Sequence, residues 1–464
     1  MTSPRNNYAL PFILPVASFA GAIFAGSLLL WWNKSAAALP VAYVDALFTA
    51  TSAVCVTGLS SVDIAVSFNS LGHAVILALI QLGGLGITTY STLVLYLASR
   101  RISLTDRLAV GDALLNNPAF HLGEFLQRVV VVILALEAAG AFLLHMMAPE
   151  AISPFAALFL AVSAFCNAGF ALWSANLAQW QQHWGVNSVV MVLIIAGGLG
   201  FAVLDEMLRL VSGRIKGLVA SRKTPKESIP PQKLSPYARL VLHTSLALVL
   251  CGAVLLMLPE YFMNDADIGT LPEKILPSLF QSVTARTAGF NTVAIGDMTD
   301  VSLLVLCALM LIGGSPGSCA GGIKTTTFRV LASFAAAQLR GRPQVVVNGK
   351  AVDARTLNKT FILLTFALLT VTGATFVLAL TEGGASPHGK TTFQVLDLFF
   401  EAVSAFATVG LTTGVSPELS VTGKLVDCAL MFIGRLGPIW LITTIQQFQM
   451  EPHYRFPETS LPIG

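Results

Sequence analysis

Gly58, Gly169, Gly289 and Gly410 each close a short turn, and each turn follows an amphipathic run of helix length. The four stretches read DALFTATSAVCVTGL (45–59), LFLAVSAFCNAGF (158–170), LFQSVTARTAGF (279–290) and DLFFEAVSAFATVGL (397–411). Their glycines are spaced by 111, 120 and 121 residues. The chemistry such turns offer lies in the main chain. Non-helical backbone at membrane depth presents carbonyl oxygens, and four sets converging on one axis can replace the water shell of a dehydrated cation. A half-helix ending at each turn directs the negative end of its dipole at that cation. The residues before the glycines, Val56–Thr57, Asn167–Ala168, Thr287–Ala288 and Thr408–Val409, differ in side chain, as a site of main-chain oxygens permits. Glycine closes each turn because the backbone there needs conformations closed to residues with a Cβ. One such turn is commonplace in a membrane protein; four in matching positions point to a pore.

The elements that must hold these turns are membrane spans. The 464-residue chain is 55% apolar and 11% charged, with a mean hydropathy of +0.75, outside the range of ordinary soluble domains. Long apolar runs recur at about 9–31, 73–99, 129–147, 186–204, 240–258, 301–312 continuing to about 338, 361–380 and 425–448. Each is near the ~20 residues a helix needs to cross hydrocarbon. The glycine-turn stretches are shorter and fall between pairs of spans, as re-entrant helices would. The expected fold is therefore an all-α membrane protein of four span–pore-helix–span repeats. It has eight transmembrane helices and four re-entrant pore helices around a pseudo-fourfold pore. The repeats cover 1–107, 108–236, 237–355 and 356–464.

Basic residues follow the second, fourth and sixth spans, at Arg100, Arg101 and Arg107, at Arg209 through Arg239, and at Arg340 through Lys359. By the positive-inside rule both termini and these loops are expected in the cytoplasm, with the glycine turns facing out. The net charge of +3 comes from these loops and calls for no nucleic acid. The apolar run near the N-terminus is long enough to span and lacks a small-residue cleavage site, so it reads as the first span. The six cysteines show no metal-ligand spacing and read as small buried residues. No Walker loop, triad spacing or HExxH motif points to an enzyme.

Two features suggest a gate. Gly313, Gly314, Ser315, Pro316, Gly317, Ser318, Cys319, Ala320, Gly321 and Gly322 interrupt the second span of the third repeat. Five glycines and a proline in this run cannot stay regular helix, since proline costs about 3 kcal/mol and each glycine about 1. Such backbone must line the conduction path or be packed on protein. Arg435 lies within the last span, either on the pore side or snorkelling to the inner surface. Lys324 reads as a gate element or an interface lysine. Glu401, inside the fourth short helix, is placed to pair behind the turn.

Together the four turns, GGSPGSCAGGIKTTTF (313–328) and FIGRLGP (432–438) resemble the Trk/Ktr/HKT superfamily of potassium transporters, and most nearly its bacterial pore-forming subunits. The resemblance covers nearly the whole chain. It implies a potassium filter of backbone carbonyls at Val56, Thr57, Gly58, Asn167, Ala168, Gly169, Thr287, Ala288, Gly289, Thr408, Val409 and Gly410. It assigns residues 313–322 to an intramembrane loop closing the pore, with Arg435 beside it. Pro316 departs from the family's glycine–serine–alanine run. Plant relatives that favour sodium carry serine at the first-repeat glycine, so Gly58 implies potassium selectivity. The layout, with no extra spans before the first repeat, is nearer the compact Ktr type. Potassium is then substrate, with no covalently bound cofactor. The implied setting is the bacterial plasma membrane, as a homodimer on a separate cytoplasmic ring of nucleotide-binding regulatory subunits. The rival readings are a sodium- or proton-coupled permease of relaxed selectivity and a non-transport scaffold, which leaves the fourfold repeat unexplained.

Overall fold

The computed structural model describes residues 10–32, 35, 40–84, 122–221, 234–260, 270–383 and 393–437. Helices dominate, and one small hairpin pairs Val346–Val347 with Lys350–Ala351. Four units share one order of leading, short and trailing helix. The first is Leu10–Trp31, Tyr43–Cys55 and Ser70–Gly84, and the second Leu122–Met147, Pro154–Cys166 and Trp184–Gly198. The third is Pro236–Leu258, Leu271–Thr284 and Asp300–Leu311, and the fourth Ala354–Glu382, Val395–Ala407 and Val421–Leu436. Two further helices, Phe201–Ser221 and Thr325–Leu339, continue the second and third trailing helices after a break.

Local sequence sets many of the boundaries. The side chains of Ser153, Thr299, Asp353 and Ser420 accept from the N–H groups of Ala156, Ser302, Thr356 and Gly423 at 3.2–3.3 Å, satisfying donors that a helix start leaves free. Pro154 and Pro236 follow their caps at the first turn, where a missing N–H costs nothing. The short helices are buried along most of their length, and Phe159, Phe165, Phe280, Phe400 and Phe406 are fully buried. The leading helices instead expose apolar side chains, including Phe24, Phe142, Leu250, Leu369 and Phe376. A long apolar helix with an apolar outer face suits lipid rather than water.

Among the described residues three helices are long and apolar enough to cross a membrane: Gln127–Met147, Pro236–Leu258 and Ala354–Glu382. Only 22–28% of their apolar windows is buried inside the protein. The expected spans at 73–99 and 425–448 run beyond the described residues, as does the basic segment 100–107. The continuous span expected at 186–204 is corrected by the structure. Trp184–Gly198 and Phe201–Gly213 meet at 113°, because Gly200, at φ 87°, turns the chain where another unit docks.

In every unit the leading helix packs against both its short and its trailing helix. Each trailing helix also packs against the short helix of the next unit, and the fourth trailing helix packs against the first short helix. The contacts thus close on themselves.

Candidate cation site

Six non-glycine residues have positive φ among the described residues, and four of them lie in the turns: Val56 (56°), Asn167 (61°), Thr287 (71°) and Thr408 (51°). Three are β-branched, for which this conformation is strained, and such strain concentrates at functional sites. Two residues later come Gly58, Gly169, Gly289 and Gly410, at φ 101°, 72°, 77° and 98°. The first, second and fourth turns are built alike. Val56, Asn167 and Thr408 donate to the carbonyls three residues back, at 3.2 Å each. Thr57, Ala168 and Val409 donate five residues back, to Ser52, Ser163 and Ser404, at 2.7–2.9 Å. The third turn differs: Ala285 stays helical and the N–H groups of Ala288 and Gly289 both point to the Thr284 carbonyl, at 2.9 and 3.4 Å. Its positive φ values recur all the same. The likeness of the four stretches in sequence therefore extends to main-chain conformation at the glycines but not to every turn hydrogen bond.

The four turns meet. A Cβ built on Gly58 would lie 2.6 Å from the Ala168 carbonyl oxygen, and one on Gly169 would lie 2.8 Å from that of Ala288. One on Gly289 would overlap the Val409 oxygen, and one on Gly410 the Thr57 oxygen. The glycines are required because each faces the carbonyl of a neighbouring turn, in a cycle that returns to its start. Thr57, Ala168, Ala288 and Val409 are fully buried. Their carbonyl oxygens accept no hydrogen bond among the described residues. Buried backbone acceptors left without donors are rare and costly. A ring of them is matched to a desolvated cation.

A second tier holds the turns. The N–H groups of Gly58 and Gly410 donate to Ser52 Oγ (3.0 Å) and Ser404 Oγ (3.1 Å). Asn176 Nδ2 donates to the Gly169 carbonyl at 3.1 Å. Glu401 is fully buried and accepts from Thr412 Oγ1 at 2.7 Å and from Ser416 Oγ, so it braces the chain just after Gly410. Arg286 and Glu137 are buried charges that sequence reading passed over. Arg286 donates to the Ser245 carbonyl (3.0 Å) and hydroxyl (3.3 Å), tying the third turn to its leading helix. Glu137 accepts from Gln81 Nε2 at 3.2 Å. A lone charge within the apolar run 129–147 was the available signal for it.

A recurring glycine in the trailing helices was also missed. It stands in QLGG (81–84), AGG (196–198), IGG (312–314) and IGR (433–435). Gly83, Gly197 and Gly434 lie directly on the carbonyls of Val54, Phe165 and Phe406, each two residues before a positive-φ turn residue. Gly197→Ala is expected to drive its Cβ into the Phe165 oxygen. A shift of a whole short helix would be needed to relieve it, at several kcal/mol, and the check is a lost monodisperse fraction in detergent. Arg435 occupies the position of the second glycine in this motif.

The 313–322 segment is non-helical and touches all four units. Ser315 and Cys319 donate to the carbonyls of Gly198 (2.9 Å) and Gly197 (3.2 Å), and Phe201 N–H donates to the Gly317 carbonyl at 3.0 Å. These bonds account for the bend in the second trailing helix. A Cβ on Gly313 would lie 3.3 Å from Thr287 Cγ2, and one on Gly321 would overlap Thr408 Oγ1, so the loop lies directly against the third and fourth turns. The guanidinium of Arg435, 8% exposed, donates to the carbonyls of Cys319 and Gly83, which resolves its placement in favour of the protein interior. Lys324 Nζ donates to the carbonyls of Ala320 (2.6 Å) and Gly321 (3.4 Å), closing the loop's exit. Gly314, Pro316, Ser318 and Gly322 complete the loop, with Ser318 Oγ donating to the Ser315 carbonyl at 2.7 Å.

Asp427 is fully buried in the fourth trailing helix, and neither carboxylate oxygen has a partner among the described residues. Burying such a group without hydrogen bonds costs about 1–3 kcal/mol. Asp427→Leu is expected to raise the temperature of half-unfolding in detergent; a lowered value would show that Asp427 is held by a partner.

A family model described as "TrkH: Cation transport protein" matches residues 11–451. Ktr system potassium uptake protein B of Bacillus subtilis is 34% identical over 98% of this chain and 96% of its own length. Potassium/sodium uptake protein NtpJ of Enterococcus hirae is 33% identical over 95% and 94%. The crystal structure of the potassium transporter TrkH from Vibrio parahaemolyticus superposes with a TM-score of 0.69 at 18% identity, covering 96% of this chain and 86% of that one, a likeness of fold.

Proposed function

This chain belongs to the TrkH family of cation transport proteins, and from that premise we propose that it takes up potassium through a gated pore. The observation that carries the reading is the cycle of four buried carbonyls at Thr57, Ala168, Ala288 and Val409, unpartnered among the described residues and each facing the glycine of a neighbouring turn. Such oxygens replace the hydration shell of a cation without offering a net charge, which favours a weakly hydrated monovalent ion. The names of the relatives, potassium uptake in one case and potassium/sodium uptake in another, agree with that chemistry. Gly58 in the first repeat favours potassium over sodium.

In this reading the four units are span–pore-helix–span repeats with eight spans in all, set around a pseudo-fourfold axis in a bacterial plasma membrane. The termini are cytoplasmic and the turns face outward. The loop 313–322, with Arg435 and Lys324, closes the path beneath the turns. The protein works as a homodimer, and a separate nucleotide-binding ring docks on basic segments such as 340–359 and governs the gate. Sodium- or proton-coupled transport of relaxed selectivity is the alternative.

Expression in a host lacking potassium uptake is expected to restore growth at low potassium. Rubidium should compete and sodium should not. Absent rescue by protein present in the membrane sinks the proposal, and equal competition by sodium selects the alternative.

A further inference from the structure

Two cysteines from different units meet where the short helix of the second unit approaches the 313–322 loop. Cys166 ends that short helix and Cys319 lies in the loop; both are free and buried. Both thiols sit on Gly84. Cys319 Sγ donates to the Gly84 carbonyl at 3.1 Å, and Cys166 Sγ fills the space a Cβ at Gly84 would take. Cys166 Sγ also lies 3.7 Å from Glu137 Oε1. Close by is a buried cation with no carboxylate on it among the described residues: both terminal nitrogens of Arg435 reach carbonyls, one of them that of Cys319 itself, and its Nε has no partner among those residues.

From this arrangement we propose that Cys166 and Cys319 form a two-thiolate site for a soft monovalent d10 cation, such as silver(I) or copper(I). When occupied it fastens the loop to the second short helix. Soft thiolates select these ions over hard ones. Among the described residues no group of three or more histidine, cysteine or carboxylate side chains, Glu137 included, is arranged to hold a metal ion, which suits the two-coordinate preference of such cations.

Binding forms two metal–sulfur bonds and breaks two S–H bonds. The Cys166 proton passes to Glu137, whose oxygen it already faces, and the Cys319 proton leaves to water. No electron is transferred. Buried thiols are ordinarily inert because the thiolate is disfavoured away from water. Here the bis-thiolate complex, with one net negative charge, forms beside the Arg435 guanidinium and so supplies the counter-charge that it lacks. Access is the point at which the inference rests on the pore reading, since a monovalent cation close in size to potassium can enter by the same path.

The test uses silver(I) in chloride-free nitrate buffer on the full chain in proteoliposomes. Each variant's rubidium uptake is normalised to its own untreated rate. Micromolar silver is expected to cut uptake at least tenfold, with excess dithiothreitol restoring it. Cys166→Ala and Cys319→Ala should each need about a hundredfold more silver. Equal sensitivity in the variants would overturn the site and assign any block to the other four cysteines. Counting silver retained by purified protein after desalting is independent of transport. One ion fewer in each variant than in the unaltered protein supports the site, and equal counts overturn it. A protein that retains the ion at these cysteines yet moves no rubidium refutes the pore reading and leaves the metal site standing.

Discussion

In the proposed filter, Gly58→Ser is expected to lower the preference for potassium over sodium by about tenfold or more. Gly58 sits at φ 101°, where a side chain is strained by about 1–2 kcal/mol. A serine Cβ would also stand 2.6 Å from the Ala168 oxygen, well inside contact distance. The turn can relieve both only by moving its own carbonyls or those of the second unit. A change of 1.4 kcal/mol in relative binding is a factor of ten, so displacement of one oxygen set suffices. The measurement is the ratio of rubidium to sodium uptake at matched protein levels. Unchanged selectivity would remove these carbonyls from the ion path. Gly410→Ser is a companion test, because its Cβ would meet the Thr57 oxygen from the other side of the same turn. A similar loss at both positions is what the cycle predicts.

Arg435→Ala is expected to raise transport at limiting potassium by roughly 10- to 100-fold. The guanidinium joins the loop, through the Cys319 carbonyl, to the first trailing helix, through the Gly83 carbonyl. Hydrogen bonds from a charged donor contribute about 1.5–3 kcal/mol each. Losing both should favour a displaced loop by at least one such increment, while a buried positive charge leaves the proposed cation path. Arg435→Lys should resemble alanine in loosening the loop, because an ammonium lacks the planar fork that reaches two separated carbonyls. It retains the charge, so its flux should fall between the two. Deleting 314–321 should raise flux further. Gly313 N–H donates to the Ile323 carbonyl at 2.9 Å, and Ile323 N–H to that of Leu311 at 3.0 Å, so the excision rejoins residues that already adjoin. Unaltered uptake in both the deletion and Arg435→Ala would refute the gate.

The glycine turns could be read because a residue forced to positive φ beside another backbone has few substitutes, and glycine leaves a mark in sequence. The interrupted helix at 312–324 could be read for the same reason, from its glycines and proline. The break at 199–200 was not, because LGF inside an apolar run is a weak signal. Its cause lies over a hundred residues away, in the bonds donated by Ser315 and Cys319 and accepted by the Gly317 carbonyl. Arg435 was visible as a misplaced charge, and the resemblance set it against the loop's carbonyls, yet its second acceptor, the Gly83 carbonyl of the first unit, was not visible. Cys166 and Cys319 read as bland, since spacing along the chain says nothing of thiols brought together from different units.

The sequence by itself determined the class of protein, the fourfold use of a helix and glycine turn, and the family. Composition, periodicity and glycine demand are local properties of the chain. Only the tertiary structure decided which carbonyl each glycine faces, that the unit contacts close into a cycle, and that the 313–322 loop touches all four units. Those facts depend on main-chain oxygens, which are the same in every residue and carry no sequence signature. A site built from them becomes visible only when packing has placed them.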